Sequence, residues 1–274
     1  MRHRLSIGAV MLLAAALSAG AALAARSARI APPASIAAAG KIVYCSDISF
    51  PPFESYTGSN KPVGVDIDIG NALAALMGVK AVWANTQFDG IIPALQAKKC
   101  DAIISGLYDK ASRRKVVDFV DYALVGNSVV VPKGNPTHVS GLSGLSGLKV
   151  GVQSGTTLRQ QLLAENRRLK AAGKEPMTIL DFPKDSDAFQ QLVAGNLDAY
   201  YTVTSTAAYY AKKTGGRVQT AGPQVSAFPF GIATLKSNKP LHAAFVKGFA
   251  LLRRNGQYIA ILKRWGVPNA AIGR

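Results

Sequence analysis

The pattern of apolar and polar positions changes period repeatedly along the chain, and it does so in two similar cycles. Lys41–Cys45 is a short apolar run of strand character, followed by the loop Asp47–Phe53, whose paired prolines exclude helix. From Val63 to Met77 the apolar positions Ile69, Leu73, Leu76 and Met77 recur at helical spacing. Asp66 and Asp68 fall in the first turn, where the helix dipole favours acids. Ala81–Ala84 reads as a strand, Phe88–Ala97 as a short helix and Asp101–Ser105 as a strand feeding the loop Gly106–Ser112. After a long β-type run, Phe119–Lys133, and a turn-rich lead-in, His138–Leu148, the cycle repeats. Lys149–Val152 is a strand, Gln153–Thr157 a polar loop and Leu158–Leu169 a helix. Thr178–Phe182 is a strand, Ser186–Ala194 a helix closed by Gly195, and Leu197–Val203 a strand.

Each cycle predicts a β-α-β-α-β unit, a parallel sheet with right-handed crossovers. The run Phe119–Lys133 leaves the first unit for the second, and Phe228–Leu235 (FPFGIATL) returns. Two helices close the chain. The first, Leu241–Arg254, carries Leu241, Phe245, Phe249 and Leu252 on one face, and the second spans Tyr258–Trp265. The expectation is an α/β protein of two lobes joined by two strand crossings, near Tyr122–Asn127 and Ser226–Phe230, with a cleft between them. Residues 40–123 and 227–272 form a discontinuous first lobe and 124–226 the second.

The N-terminus stands apart from this pattern. Met1–Arg4 is basic, Leu5–Leu17 is apolar, and Ala22-Leu23-Ala24 supplies small residues at cleavage positions. Residues 1–24 therefore read as a secretory signal, with no cysteine beside the cleavage point to take a lipid, and 25–39 as a flexible Ala/Pro-rich tail. The 274-residue chain is 49% apolar and 17% charged, which suits a globular protein with a sizeable core. Its formal charge is +17, but no basic run exceeds three residues (Arg113-Arg114-Lys115). Scattered bases on an exported chain argue for a solvated surface and against a nucleic-acid partner. Export permits a disulfide between Cys45 and Cys100. Cys45 ends one predicted strand, however, and Cys100 precedes another. On parallel neighbours they lie at opposite ends, so two unpaired, buried thiols are expected.

Ligands of open α/β sheets sit beyond the carboxyl ends of the strands. Those ends carry Asp47–Phe53, Phe88, Ser105–Arg113, Gln153–Thr157 and Val203-Thr204. Phe50 and Phe88 suit the walls of a cleft and Phe53 suits the core. Arg113 has the planar fork that holds a carboxylate through two bonds. Gly155-Thr156-Thr157, at a helix start, offers hydroxyl and amide donors to an anion and equally a plain N-cap. No metal or cofactor is called for.

Seven segments, taken in order, resemble one family. They are VYCSDISFPPF, GVDIDIGNALAALMG, FDGIIPALQAKKCDAIISGL, RRKVVDFVDYA, KVGVQSGTT, LDAYYTV and NGQYIAILKRWG. Together they are similar to the periplasmic solute-binding proteins of polar amino acid ABC importers (bacterial extracellular solute-binding proteins, family 3). The resemblance spans residues 40–267. It implies a type II two-lobed clamshell that closes on an amino acid and delivers it to an inner-membrane permease, as a periplasmic monomer.

By the resemblance, Phe50 and Phe88 pack on the ligand, and Ser105 and Gly106 meet it through their backbone. Arg113 clamps the α-carboxylate, Thr156 and Thr157 donate from the second lobe, and Asp47 faces a cationic side chain. Gln153, Tyr108 and Thr204 complete the candidate set. Two departures stand out. Tyr108 replaces a small hydroxyl residue. Val203 stands where the family carries the Asp that pairs with the ligand's α-ammonium. A buried ammonium without a counter-charge costs several kcal/mol. The ammonium is therefore met by Asp47, Thr204 or aromatic faces, or the ligand lacks a primary α-ammonium, as a substituted amine, a cyclic zwitterion or a plain carboxylate would. The same fold also hosts a cyclohexadienyl-dehydratase-like enzyme and sensing domains of membrane receptors. The enzyme reading needs a general acid in the cleft, and the second-lobe strand ends offer none.

Overall fold

The computed structural model describes residues 30–273, so the leader and residues 25–29 lie outside the described part. Two three-stranded parallel sheets form from the two cycles. In the first unit, β1 (Lys41–Ser46) lies between β4 (Lys80–Asn85) and β5 (Ala102–Ile103). In the second, β7 (Lys149–Gln153) lies between β8 (Thr178–Phe182) and β9 (Ala199–Val203). In both, the first strand is central, the next in sequence flanks it on one side and the third on the other. The crossovers are α2 (Val65–Leu76) and α3 (Ile91–Gln96) in the first unit, and α5 (Thr157–Ala171) and α6 (Asp185–Val193) in the second. A small hairpin, β2 (Ser55–Tyr56) with β3 (Pro62–Val63), precedes α2.

Two long strands join the units. β6 (Val117–Pro132) pairs with β9, and β10 (Val218–Leu235) pairs with β5. They pair antiparallel with each other from Val117↔Leu235 to Pro132↔Val218, making one eight-stranded sheet. The register slips between Ala221 and Val225, between Val225 and Phe228, and between Phe230 and Gly231. Such bulges bend and twist a ladder locally. They fall where the chain passes from one unit to the other, so the protein is two-lobed. The return strand begins earlier than its apolar core suggests, because its first half, VQTAGPQVSA, is mostly exposed and carries no apolar run. Helix α7 (Thr204–Lys213), between β9 and β10, was not anticipated; only Thr206, Ala207 and Tyr210 of it are buried.

The closing helices α8 (Lys239–Arg254) and α9 (Gln257–Arg264) pack back on the first lobe. Leu241, Phe245, Phe249 and Leu252 are all buried, as their spacing requires. The Tyr258 hydroxyl donates to the Tyr122 carbonyl at 2.7 Å, tying α9 to β6.

Two expectations fail. Residues 30–39 are not a loose tail. Ala34–Ala39 is a helix (α1), Ile36 and Ile30 are buried, and the Ile30 amide donates to Leu76. Two isoleucines in an otherwise small-residue stretch supply the apolar area that holds it down. Cys45 and Cys100 are not free thiols either, because they form a disulfide. The strand register does place Cys45 opposite Ile103, three residues past Cys100, an offset of about 10 Å on extended chain. But β5 is only two residues long. Lys98 takes a left-handed φ of 57°, and Asp101 is fixed beside Val43 by two bonds to its backbone. The chain bends there and brings Cys100 over Cys45, with a Cα–Cα distance of 5.6 Å. Both then share the core of Ile91, Leu95 and Ile103.

The bridge closes a loop of 55 residues. Replacing both cysteines by alanine is expected to lower stability by about 2–5 kcal/mol, read from urea unfolding midpoints. Two free thiols in the unreduced, urea-unfolded wild type would contradict the assignment.

Candidate functional site

At the carboxyl ends of both sheets the two lobes face each other across a cleft. It encloses about 450 Å³ of atom-free space including its mouth. Eleven of the twelve sequence-predicted residues line it. Asp47, Phe50, Phe88, Ser105, Gly106, Tyr108 and Arg113 come from the first lobe. Gln153, Thr156, Thr157 and Val203 come from the second. Thr204 is not among them. It starts α7, its hydroxyl is 2.9 Å from that of Ser128, and it lines a separate surface groove. Strand β9 ends at Val203 and the helix turns the next side chain away.

The floor of the first-lobe side is a network of buried carboxyls. The Asp47 amide donates to Ser105 Oγ at 2.9 Å, and Ser105 Oγ donates to Glu54 Oε1 at 2.8 Å. Asp66 accepts from the Gly106 amide at 2.8 Å and the Tyr122 hydroxyl at 2.7 Å. These bonds hold the Ser105-Gly106 turn from below. Gly106 has a φ of +50°, and a Cβ there would meet the Phe50 ring at 2.9 Å. The position therefore needs glycine for its conformation and for its close approach. Burial drives the Glu54 carboxyl well above the usual carboxylate range, and its neighbour Asp66 adds to that. Burial likewise brings Asp66 up to about 6.

Arg113 sits on the short helix α4 (Ala111–Arg114). It is buried, and its guanidinium lies 5.6 Å from the Phe88 ring centre. Its Nη1 donates to the Tyr108 carbonyl at 2.9 Å. Burial pushes it down to about 10. Adjacent Arg114 pairs with Asp109, but among the described residues Arg113 has no carboxylate within ion-pair distance. A buried cation lacking a counter-ion is the electrostatic form of an anion site. Tyr108 turns its hydroxyl out of the cleft, to Asn127 Oδ1 at 2.6 Å on β6, and its ring packs against Phe228 and Phe230. It walls the pocket without blocking it.

Across the cleft, Thr156 caps α5, accepting from the Arg159 amide at 3.1 Å. The Thr157 hydroxyl is buried with no partner. Gly155 lies against the backbone of Asp89 in the opposite lobe, where a Cβ would come within 2.6 Å of its Cα. The lobes also meet through Gln153, whose side-chain amide donates to Asp47 Oδ2 at 2.8 Å, and through Lys110, which donates to Gln160 at 2.8 Å. Asp47 also accepts from the Ser49 hydroxyl and the Phe88 amide. Both of its oxygens are used within the protein. Burial raises its pKa, and those three donors oppose the rise. The acid expected to meet a ligand cation is here an interlobe latch.

Sequence reasoning missed Glu54, Val152, Leu158, Asp185, Tyr201, Thr202 and Phe230 in the lining. Asp185 matters most, because it overturns the expectation that the second lobe brings no acid to the cleft. It is the first residue of α6, just past the carboxyl end of β8, and only 2% exposed. Its Oδ1 accepts from the hydroxyls of Tyr200 and Thr202. Burial raises it to about 7. An acid directly after Pro183-Lys184 at a strand end was the available signal.

These raised acids fix the sign of the pH dependence. Asp66 and Asp185 hold protons in the folded state that the unfolded chain releases near the ordinary carboxylate value of about 4. Their stabilisation is complete below that value and lost as pH rises through about 6 to 7. The thermal midpoint should therefore be higher at pH 5 than at pH 8, by about 2–4 °C for each kcal/mol lost. Scanning calorimetry across that range checks it, and a midpoint that rises with pH would contradict it.

Comparison with known proteins agrees with this architecture. The family model described as bacterial extracellular solute-binding proteins, family 3, matches residues 42–268. The L-arginine-binding protein of Pseudomonas aeruginosa is 31% identical over 226 residues, covering 80% of this chain and 85% of its own. The lysine/arginine/ornithine-binding periplasmic protein of Escherichia coli is also 31% identical, over 228 residues, with the same shares. Among solved structures, an ancestral arginine-binding protein bound to arginine superimposes with a TM-score of 0.76 at 37% identity, covering 82% of this chain and 98% of that one. An ancestral amino acid-binding protein described as a precursor of cyclohexadienyl dehydratase gives 0.77 at 31% identity, covering 84% and 97%. With its two parallel units, paired crossing strands and carboxyl-end cleft, the chain belongs to the bacterial extracellular solute-binding proteins, family 3.

Proposed function

We propose that this protein is the periplasmic solute receptor of an ABC importer, that it binds a small amino acid or amino-acid-like carboxylate in the cleft, and that it hands the ligand to an inner-membrane permease. The observation that carries this is Arg113: a buried guanidinium facing a cleft, near the Phe88 ring, with no carboxylate among the described residues to neutralise it. A ligand carboxylate supplies the missing charge through two parallel bonds. The unpartnered Thr157 hydroxyl and the start of α5 add donors from the other lobe. Phe50 and Phe88 enclose the body of the ligand, and the small interior favours a compact one.

The bulged crossings of β6 and β10, near Tyr122–Asn127 and Ser226–Phe230, act as the hinge. The first lobe is 40–123 with 227–272 and the second 124–226. Closure makes the Asp47–Gln153 and Lys110–Gln160 bonds, which break on opening. Export by the leader at 1–24 and the names of the relatives support the periplasmic setting, and the scattered surface charge argues against a nucleic-acid partner. Among the described residues no helix is long and apolar enough to cross a membrane.

Arg113→Ala is expected to weaken the best-binding L-amino acid by about a hundredfold or more, measured by titration calorimetry. Unchanged affinity would remove the carboxylate assignment. The dehydratase reading keeps one foothold, the acid Asp185, and the named relatives are binding proteins. Incubation with prephenate decides between them. No turnover is expected, and product formation above the uncatalysed rate would favour the enzyme.

A further inference from the structure

We propose that Asp185 is the carboxylate that receives the ligand's ammonium group, taking over from the strand position now held by Val203, so that the ligand is an ammonium-bearing amino acid and not a plain carboxylate. The inference rests on the binding reading above and names its substrate class.

Val203, at the end of β9, is buried in the cleft wall and offers no charge. Asp185 reaches the same corner from the neighbouring element. Its Oδ1 is 3.1 Å from the hydroxyl of Thr202, the residue before Val203, and both Asp185 and Val203 line the cleft. The two donors on Oδ1, Tyr200 and Thr202, fix the carboxyl plane. Oδ2 is buried and has no hydrogen-bond partner. A carboxyl oxygen left without a donor inside a protein costs free energy unless something supplies one. Of the first-lobe acids in the lining, Asp47 already accepts three donors, and Glu54 accepts from Ser105 and hydrogen-bonds to its buried neighbour Asp66. Asp185 is thus the second-lobe acid in the cleft with capacity to spare, opposite a first-lobe arginine with none of its charge neutralised.

The groups facing Asp185 set how it titrates. Tyr200 and Thr202 on β9 donate to it, Asp47 from the first lobe repels its charge, and Tyr210 on α7 lies near enough to feel it. Lys184, the residue before it, bears on Asp47. Burial is the largest influence and holds the carboxyl partly protonated near neutrality, at about 7. An arriving ammonium favours the charged form. Binding should therefore expel a proton, approaching about one per ligand at pH 6, and affinity should rise from pH 5.5 to 8.

The test compares matched probes on the full mature protein. The L-amino acids are screened by thermal shift beside glycine betaine, propionate and other amine-free carboxylates. The best amino acid is then titrated calorimetrically at pH 6 in buffers of different ionisation enthalpy. The expected result is that ammonium-bearing probes bind best and release a proton. Asp185→Asn, which keeps an oxygen for Tyr200 and Thr202, should weaken them at least tenfold, abolish the proton release and leave any weak carboxylate binding unchanged. Circular dichroism and the thermal midpoint establish that the variant is folded. Amino acid binding lost in Arg113→Ala but intact, with its proton release, in Asp185→Asn overturns this assignment and leaves the binding reading standing. A wild type that prefers betaine or propionate overturns it too. A wild type silent to every probe overturns both.

Discussion

The ladder between Val117–Pro132 and Val218–Leu235 is the constraint on which the site depends. Each strand belongs to the sheets of both lobes, so the lobes share continuous backbone and differ in orientation only by how that ladder bends. Its register slips are confined to the stretch from Ala221 to Gly231, which localises the bend. Aromatic packing sits directly on it. Phe230 from the return strand touches Phe53, Tyr108 and Tyr122, and Tyr108 bonds to Asn127 on the outgoing strand. The hinge and the wall of the cleft are built from the same residues, and this couples lobe orientation to the shape of the pocket.

Charge placement does the rest. Among the described residues the cleft is lined by one buried cation and three buried acids, and the protein satisfies them unequally. Asp47 accepts donors on both oxygens, Glu54 and Asp66 hydrogen-bond to each other with both pKa values raised, and Arg113 and Asp185 remain incomplete. Burying such groups costs several kcal/mol each unless a partner of opposite character completes them. A zwitterion presents both partners at once, at a fixed short separation. The same residues that destabilise the unoccupied cleft therefore select what enters it.

Much of this was legible in the residues. The duplicated strand–helix cycle followed from periodicity, and the strand Thr178–Phe182 and the buried face of Leu241, Phe245, Phe249 and Leu252 appear as the pattern requires. Carboxyl-end loops named Arg113, Phe50, Phe88 and Gln153, because position at a strand end is a local property. What was illegible depended on contacts distant in sequence. The Cys45–Cys100 bridge turned on how the chain bends at Lys98–Asp101, which no period records. Asp47 read as an available acid because its partner Gln153 lies 106 residues away. Asp185 went unremarked just before the helix expected at Ser186, and only its burial and an unpartnered oxygen distinguish it. Thr204 was misplaced by one residue's worth of geometry, where a strand ends and a helix begins.

The most direct test is a crystal structure of the protein with its best-binding L-amino acid. The account predicts the ligand carboxylate in hydrogen-bond contact with the Arg113 guanidinium and the Thr157 end of α5. It predicts the ammonium against Asp185 Oδ2, with the Asp47–Gln153 latch intact. A ligand bound with its carboxylate away from Arg113, or with its ammonium directed to the first lobe alone, would contradict it.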